Sequence, residues 1–125
     1  MVSWNNLDTL ASFKELANVK PACLTEVMSG DSGADRVKKY SIPMAAGLSY
    51  NYASKQVDED VLSALEKLAD EAQLADKFKA LYNGEVVNTG EKRLVLHHMT
   101  RGQLGDAVEA DGVDKRTFYK TQQER

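Results

Sequence analysis

Asp58-Glu59-Asp60-Val61-Leu62-Ser63-Ala64-Leu65-Glu66-Lys67-Leu68-Ala69-Asp70-Glu71-Ala72 is the stretch from which the fold is read. Val61, Leu62, Leu65, Leu68, Ala69 and Ala72 recur at helical spacing and form one apolar stripe. Asp58 stands where a carboxylate accepts the free backbone N–H groups of a first turn. Glu59 and Asp60 complement the positive end of the helix dipole. A second helix is predicted from Leu74 to Tyr82, with Leu74, Phe78 and Leu81 on one side. Asn83-Gly84 ends it, because glycine tolerates the left-handed conformation at a helix C-terminus.

Toward the N-terminus, Leu7, Leu10, Ala11, Phe13, Leu16 and Ala17 predict a helix over Asn6 to Ala17. Lys20-Pro21 interrupts it, and Pro21 suits the first turn of a short helix over Ala22 to Met28. Ser29 to Gly33 reads as a loop. Val37 to Met44 and Gly47 to Tyr52 read as a small hairpin around Ala45-Ala46-Gly47. Tyr50 and Tyr52 flank Asn51, so they share a face that is expected to pack. Toward the C-terminus, Glu91 to Met99 is expected to be helical, and Gly102, Gly105 and Ala110 to Gly112 to be loop. Asp114 is expected to cap a helix running through Lys115 to Arg125, with no stop signal before the last residue. The expectation is a chain cut within a longer polypeptide. The fold class is α+β, mostly helical with a small β-hairpin, with N-terminal helices in residues 1–36 and a second region over 37–125.

The chain has 125 residues, 16 basic and 19 acidic side chains, and a formal charge of −3. That balance gives no clustered positive surface, so neither nucleic acid nor an anionic membrane is an expected partner. No apolar run is long enough to span a bilayer, and the first residues lack the basic head and apolar run of a signal peptide. The one cysteine, Cys23, forms no internal disulfide and is expected to be a buried thiol. A reduced, cytoplasmic protein is the default expectation.

Chemistry read from the residues alone is sparse. His97-His98 point about 100° apart on a helix and do not converge on one metal; no further ligands complete a set. Gly84 to Arg93 (GEVVNTGEKR) has the wrong spacing for a phosphate loop, although a helix start near Gly90 would offer N–H groups to an anion. Asp58-Glu59-Asp60 lacks calcium-loop spacing and reads as a cap. Arg93 and Arg101, eight apart, would lie on related faces of the expected helix, where either a phosphate or a partner carboxylate could be met; structural ion pairs are the expectation.

Leu81 to Arg101 (LYNGEVVNTGEKRLVLHHMTR) adds more. It resembles the early block of glucose-6-phosphate isomerases, close to F-x-G-E-x-I-N-x-T-E-x-R-A-V-L-H-x-A-L-R. Gly84, Glu85, Asn88, Glu91, Arg93, Val95, Leu96, His97 and Arg101 fall on it without a gap. Tyr82 and Val87 are near matches, while Gly90, Leu94, Met99 and Thr100 depart from it. Asn51 to Leu62 (NYASKQVDEDVL) resembles the family's D-Y-S-K-N-R-I-T-x-E-T-L through Tyr52, Val57 and Leu62, with Glu59 one place from its glutamate, while Ala53, Ser54, Lys55 and Gln56 depart from it, and Asp111 to Arg125 is similar to the family's D-G-K-D segment. NYASKQ and VLHHMTRGQ look most like the spirochaete members.

The resemblance implies an intramolecular aldose–ketose isomerase interconverting glucose 6-phosphate and fructose 6-phosphate by acid–base chemistry through an enediol. It implies no metal or organic cofactor, and a homodimer of two α/β sandwich domains in the parent enzyme. The family's catalytic and substrate-binding residues lie beyond the position of Arg125. Gly84, Glu85, Asn88, Glu91, Arg93, His97 and Arg101 are therefore structural positions, and the segment alone is expected to be inactive. Leu94, Val95 and Leu96 are expected to bury, with Arg93 and Arg101 holding the helix ends. The competing reading is a stand-alone helical binding or adaptor module.

Overall fold

A computed structural model describes residues 2–102 and 105–125. The chain forms two compact units, one of residues 10–68 and one of residues 1–9 with 69–125.

In the 10–68 unit, α1 spans Ala11–Leu16, α2 Leu24–Val27 and α3 Gly30–Lys39. The expected helix over Asn6 to Ala17 is broken: Leu7–Thr9 is a single 3-10 turn, and extended backbone at Leu10 (φ −79°, ψ 144°) separates it from α1. The loop expected at Ser29 to Gly33 is instead the start of α3. Gly33 explains why a glycine-containing stretch is helical there. A Cβ at Gly33 would stand 2.4 Å from the Met28 carbonyl oxygen, so only glycine lets this helix approach the end of α2. Cys23, expected to be buried, is exposed, because it is the extended residue that precedes α2.

The expected hairpin is present as β1 (Ser41–Pro43) and β2 (Ser49–Asn51), antiparallel with Ile42 opposite Tyr50. Its first strand begins later than expected, since Val37 to Lys39 complete α3. Ala46, at φ 58°, makes the reversal. On the shared face Tyr52 is half-buried with its ring edge-on to Tyr40 at 5.1 Å, whereas Tyr50 stacks on Tyr52 and stays half exposed.

A buried arginine organises this unit. Arg36 is 7% exposed. Its Nε donates to the Ala53 carbonyl at 2.8 Å, and its Nη2 donates to those of Lys55 at 3.0 Å and Val57 at 2.6 Å. Its guanidinium lies 4.2 Å from the centroid of the buried Tyr40 ring. Three carbonyls of an irregular segment thereby gain donors that no sheet supplies. That segment delivers the chain to α4 (Glu59–Glu71), capped as expected: the Asp58 carboxylate accepts from Val61 N–H at 3.0 Å. Glu59 meets Lys39 at 2.8 Å. The hydrogen bond to Lys39, then its charge, holds the Glu59 carboxyl below its ordinary value; the same contact raises the Lys39 ammonium.

In the other unit, α5 (Leu74–Tyr82) has the predicted bounds. Two further antiparallel pairs follow, β3 (Val86–Asn88) with β4 (Arg93–Leu94) and β5 (Glu109–Ala110) with β6 (Val113–Asp114). The helix expected over Glu91 to Met99 does not form. Within it Arg93–Leu94 is β4, and His97–Thr100 is a 3-10 helix. Residues expected to be loop around Ala110 form the β5–β6 turn. The last helix, α6 (Lys115–Gln123), is capped as predicted, the Asp114 carboxylate accepting from the N–H groups of Arg116 and Thr117.

Candidate functional site

The block Leu81 to Arg101 is built outward from the end of α5. Gly84, at φ +71°, turns the chain out of the helix. Its N–H donates to the Leu81 carbonyl at 3.2 Å, and Glu85 N–H donates to that of Ala80 at 2.9 Å. This paired pattern is the Schellman closure of a helix C-terminus. Gly84 is fixed twice over, because a Cβ there would also stand 2.3 Å from a methyl of the buried Val108.

From Val86 the chain enters β3 and reverses at Asn88 to Lys92. The reversal is held by its own side chains. Asn88 accepts from Glu91 N–H at 3.2 Å and donates its amide to the Glu91 carboxylate at 3.2 Å. That carboxylate lies 3.8 Å from Arg93 Nη1. Lys92 takes φ +54°, and a bulge accompanies the Asn88–Arg93 pairing. Gly90 therefore sits in a β-turn rather than at a helix N-terminus, so the N–H groups that a helix start would have offered an anion are not arranged there. Arg93 and Arg101 do not share a helix, because Arg93 lies in β4 and Arg101 follows the His97–Thr100 turn. Both are exposed.

Leu94, Val95 and Leu96 are half-buried, short of the expected burial. Met99, which departs from the family pattern, is the fully enclosed residue at 0% exposure. The two histidines diverge. His97 is exposed, while His98 stacks on the Tyr82 ring with centroids 4.8 Å apart and its Nε2 buried without a partner.

Sequence reasoning missed the residue that ties this block to α6. Arg116 is 5% exposed. Its Nη2 donates to the Tyr82 carbonyl at 2.6 Å, its Nε donates to the Asp106 carbonyl, and its guanidinium lies 5.2 Å from the Tyr82 ring centroid. Nη1 is buried without a partner. The available signal was the spacing of Arg116 to the half-buried Tyr119, which puts both on one helix face. Asp114 closes the arrangement. Besides capping α6 it accepts from the Thr117 hydroxyl at 2.5 Å and from Val108 N–H at 3.3 Å. The Thr117 hydrogen bond is the main reason its carboxyl lies below the ordinary range; desolvation opposes the shift, and the backbone donors add to it.

The Glu91 and Asp114 carboxylates are thus engaged in a turn and a cap. Among the described residues, no group of three or more His, Cys, Asp or Glu side chains is placed to hold a metal ion, and no helix is long and apolar enough to cross a membrane.

An α+β segment with this block of spaced Gly, Asn, Glu and Arg residues matches a sugar-phosphate isomerase type of sequence. The phosphoglucose isomerase model matches residues 51–125. Glucose-6-phosphate isomerase of Treponema denticola is 43% identical over 126 residues, covering 94% of this chain and 23% of that protein. Glucose-6-phosphate isomerase of Borreliella afzelii is 41% identical over 127 residues, covering 100% and 23%. That of Pseudomonas aeruginosa is 40% identical over 80 residues, or 64% of this chain. The chain belongs to the phosphoglucose isomerase family. It spans about a quarter of the length of the spirochaete relatives it matches.

Proposed function

We propose that this chain is a structural segment of a glucose-6-phosphate isomerase, and that it does not itself carry the catalytic groups. The reading rests on one observation above others. The block shared with the family is spent on local architecture: Gly84 ends α5, Asn88, Glu91 and Arg93 hold the β3–β4 turn, and His97 is exposed. Proton transfer between neighbouring sugar carbons needs a base and an acid converging on one small volume. Glu85, Glu91, His97 and Arg101 act as framework residues in this reading. The whole protein interconverts glucose 6-phosphate and fructose 6-phosphate without a metal or organic cofactor, as a cytoplasmic homodimer.

The test is a coupled assay with fructose 6-phosphate as substrate. The purified 125-residue chain is expected to show no turnover above the uncatalysed background. The same residues, substituted for the matched 126 residues of the Treponema denticola relative, are expected to support turnover. Activity from the 125 residues alone would overturn the structural reading, and an inactive but folded chimaera would overturn the isomerase reading.

A further inference from the structure

The apolar residues in this chain are distributed the wrong way round for a self-sufficient domain. Among the described residues, those buried and hydrophobic are mostly alanines (Ala22, Ala53, Ala64, Ala72 and Ala80), whereas large side chains lie open. The sharpest case is α5. Leu74 and Phe78, one helical turn apart, are 60% and 62% exposed. With Trp4, Leu81 and Val87 they line a groove of about 250 Å³. Its one charged border is Lys77, whose ammonium lies 5.7 Å from the Trp4 ring centroid. The opposite side of α5 is already used: Ala80 is 2% exposed, and the Tyr82 carbonyl is taken by Arg116. The Leu74–Phe78 stripe is a second apolar face: Phe78 stacks on the Tyr82 ring with centroids 6.1 Å apart, yet both it and Leu74 stay mostly exposed. A helix that is apolar on two sides is one that is enclosed.

The relatives say how much polypeptide is available to enclose it. Spirochaete isomerases align over 94–100% of this chain with only 23% of their own length, leaving about three quarters of each protein outside the match. We infer that the groove formed by Trp4, Leu74, Phe78, Leu81 and Val87 is the docking face for that remaining polypeptide, received as an apolar segment. The cation at the rim, Lys77, fits a carboxylate at the edge of that segment. This rests on the proposed reading of the chain as part of a longer isomerase.

The test places a reporter thiol in the groove. Phe78→Cys is introduced with Cys23→Ser, both in the 125-residue chain and in the chimaera with the Treponema denticola relative. Labelling by a maleimide is followed by peptide mapping. In the 125-residue chain the introduced thiol is expected to label freely. In the chimaera it is expected to label at least about tenfold more slowly, since reaction then requires local opening. Equal rates in an active chimaera overturn the docking inference and leave the isomerase reading standing. Protection that fades on dilution assigns the groove to a second copy and also overturns it. A chimaera that folds yet never turns over fructose 6-phosphate overturns the isomerase reading first. A second variant guards against a local effect of the thiol. Leu74→Glu with Phe78→Glu is expected to lower the melting temperature of the 125-residue chain only slightly, through loss of the exposed Phe78–Tyr82 stack, and to lower that of the chimaera by several degrees more. An unchanged chimaera overturns the inference.

Discussion

Replacing Arg36 by methionine keeps an unbranched apolar stem of similar length and removes only the guanidinium. The structure sets the size of the effect. The bond to the buried Ala53 carbonyl at 2.8 Å is charge-assisted and enclosed, worth about 1.5–3 kcal/mol. Those to Lys55 and Val57, at 3.0 and 2.6 Å, are partly reached by water and are worth about 1 kcal/mol each. The guanidinium 4.2 Å from the Tyr40 centroid adds about 1 kcal/mol, part of which a thioether against the ring recovers. These terms share one side chain and do not add fully, so the expected loss is about 3–5 kcal/mol. Arg36→Lys keeps the charge but cannot donate to three carbonyls through a planar fork, and is expected to lose about 2 kcal/mol or more. Urea unfolding followed by far-UV circular dichroism reads both. With a slope of about 1.5 kcal/mol per molar urea, the methionine midpoint falls by about 2–3 M, or the variant is unfolded without denaturant. A methionine variant within about 1 kcal/mol of the parent would refute the argument, because it would mean that water serves those carbonyls as well as Arg36 does.

Gly84→Ala is expected to cost about 2–4 kcal/mol, from a left-handed alanine and from the contact with Val108. Val108→Ala relieves only the second term, so a double-mutant cycle is expected to show favourable coupling of about 1 kcal/mol; zero coupling would contradict the contact. Gly33→Ala is expected to destabilise by about 1–3 kcal/mol in thermal melts although alanine is the better helix former, because the Met28 carbonyl occupies the space. Glu59 titrates below its ordinary value in the folded chain, so its contribution is present above the unfolded value near about pH 4.3 and is lost as pH falls through the lower folded one. Lys39 is raised, so its part persists through neutral pH and is lost only in strong alkali. Denaturant midpoints measured from neutral pH down to pH 3 are therefore expected to fall more steeply for the parent than for Lys39→Met. Parallel acid limbs would mean that the pair contributes nothing.

Features set by a few neighbouring residues were legible in the sequence. Asp58, Asp114 and Asn83-Gly84 close their helices through bonds spanning two to five residues, so the sequence determined α4, α5 and α6 and the β1–β2 hairpin. The spaced residues of Gly84 to Arg101 also marked the family. What they do locally was not legible. Leu94, Val95 and Leu96 are good helix formers or at least tolerated in helices, yet β4 pairs with β3 because Lys92 adopts positive φ and the Asn88–Glu91 turn presents the strand edge. The loop expected at Gly33 became helix through a contact with another helix, and Cys23 stayed exposed because it precedes one.

The two buried arginines show the limit most clearly. A cation is ordinarily solvated, and nothing next to Arg36 or Arg116 in the chain marks it as enclosed. Each is buried because carbonyls 17 to 21 residues away from Arg36, or 10 and 34 residues away from Arg116, converge on its guanidinium. The sequence by itself determined where helices start and stop, the first hairpin and the family, since those depend on short-range hydrogen bonding and on residue order. Tertiary structure alone decided the strand pairing around Asn88, the burial of Arg36 and Arg116, and the open Leu74–Phe78 face, because each is settled by which distant groups arrive to share or exclude water.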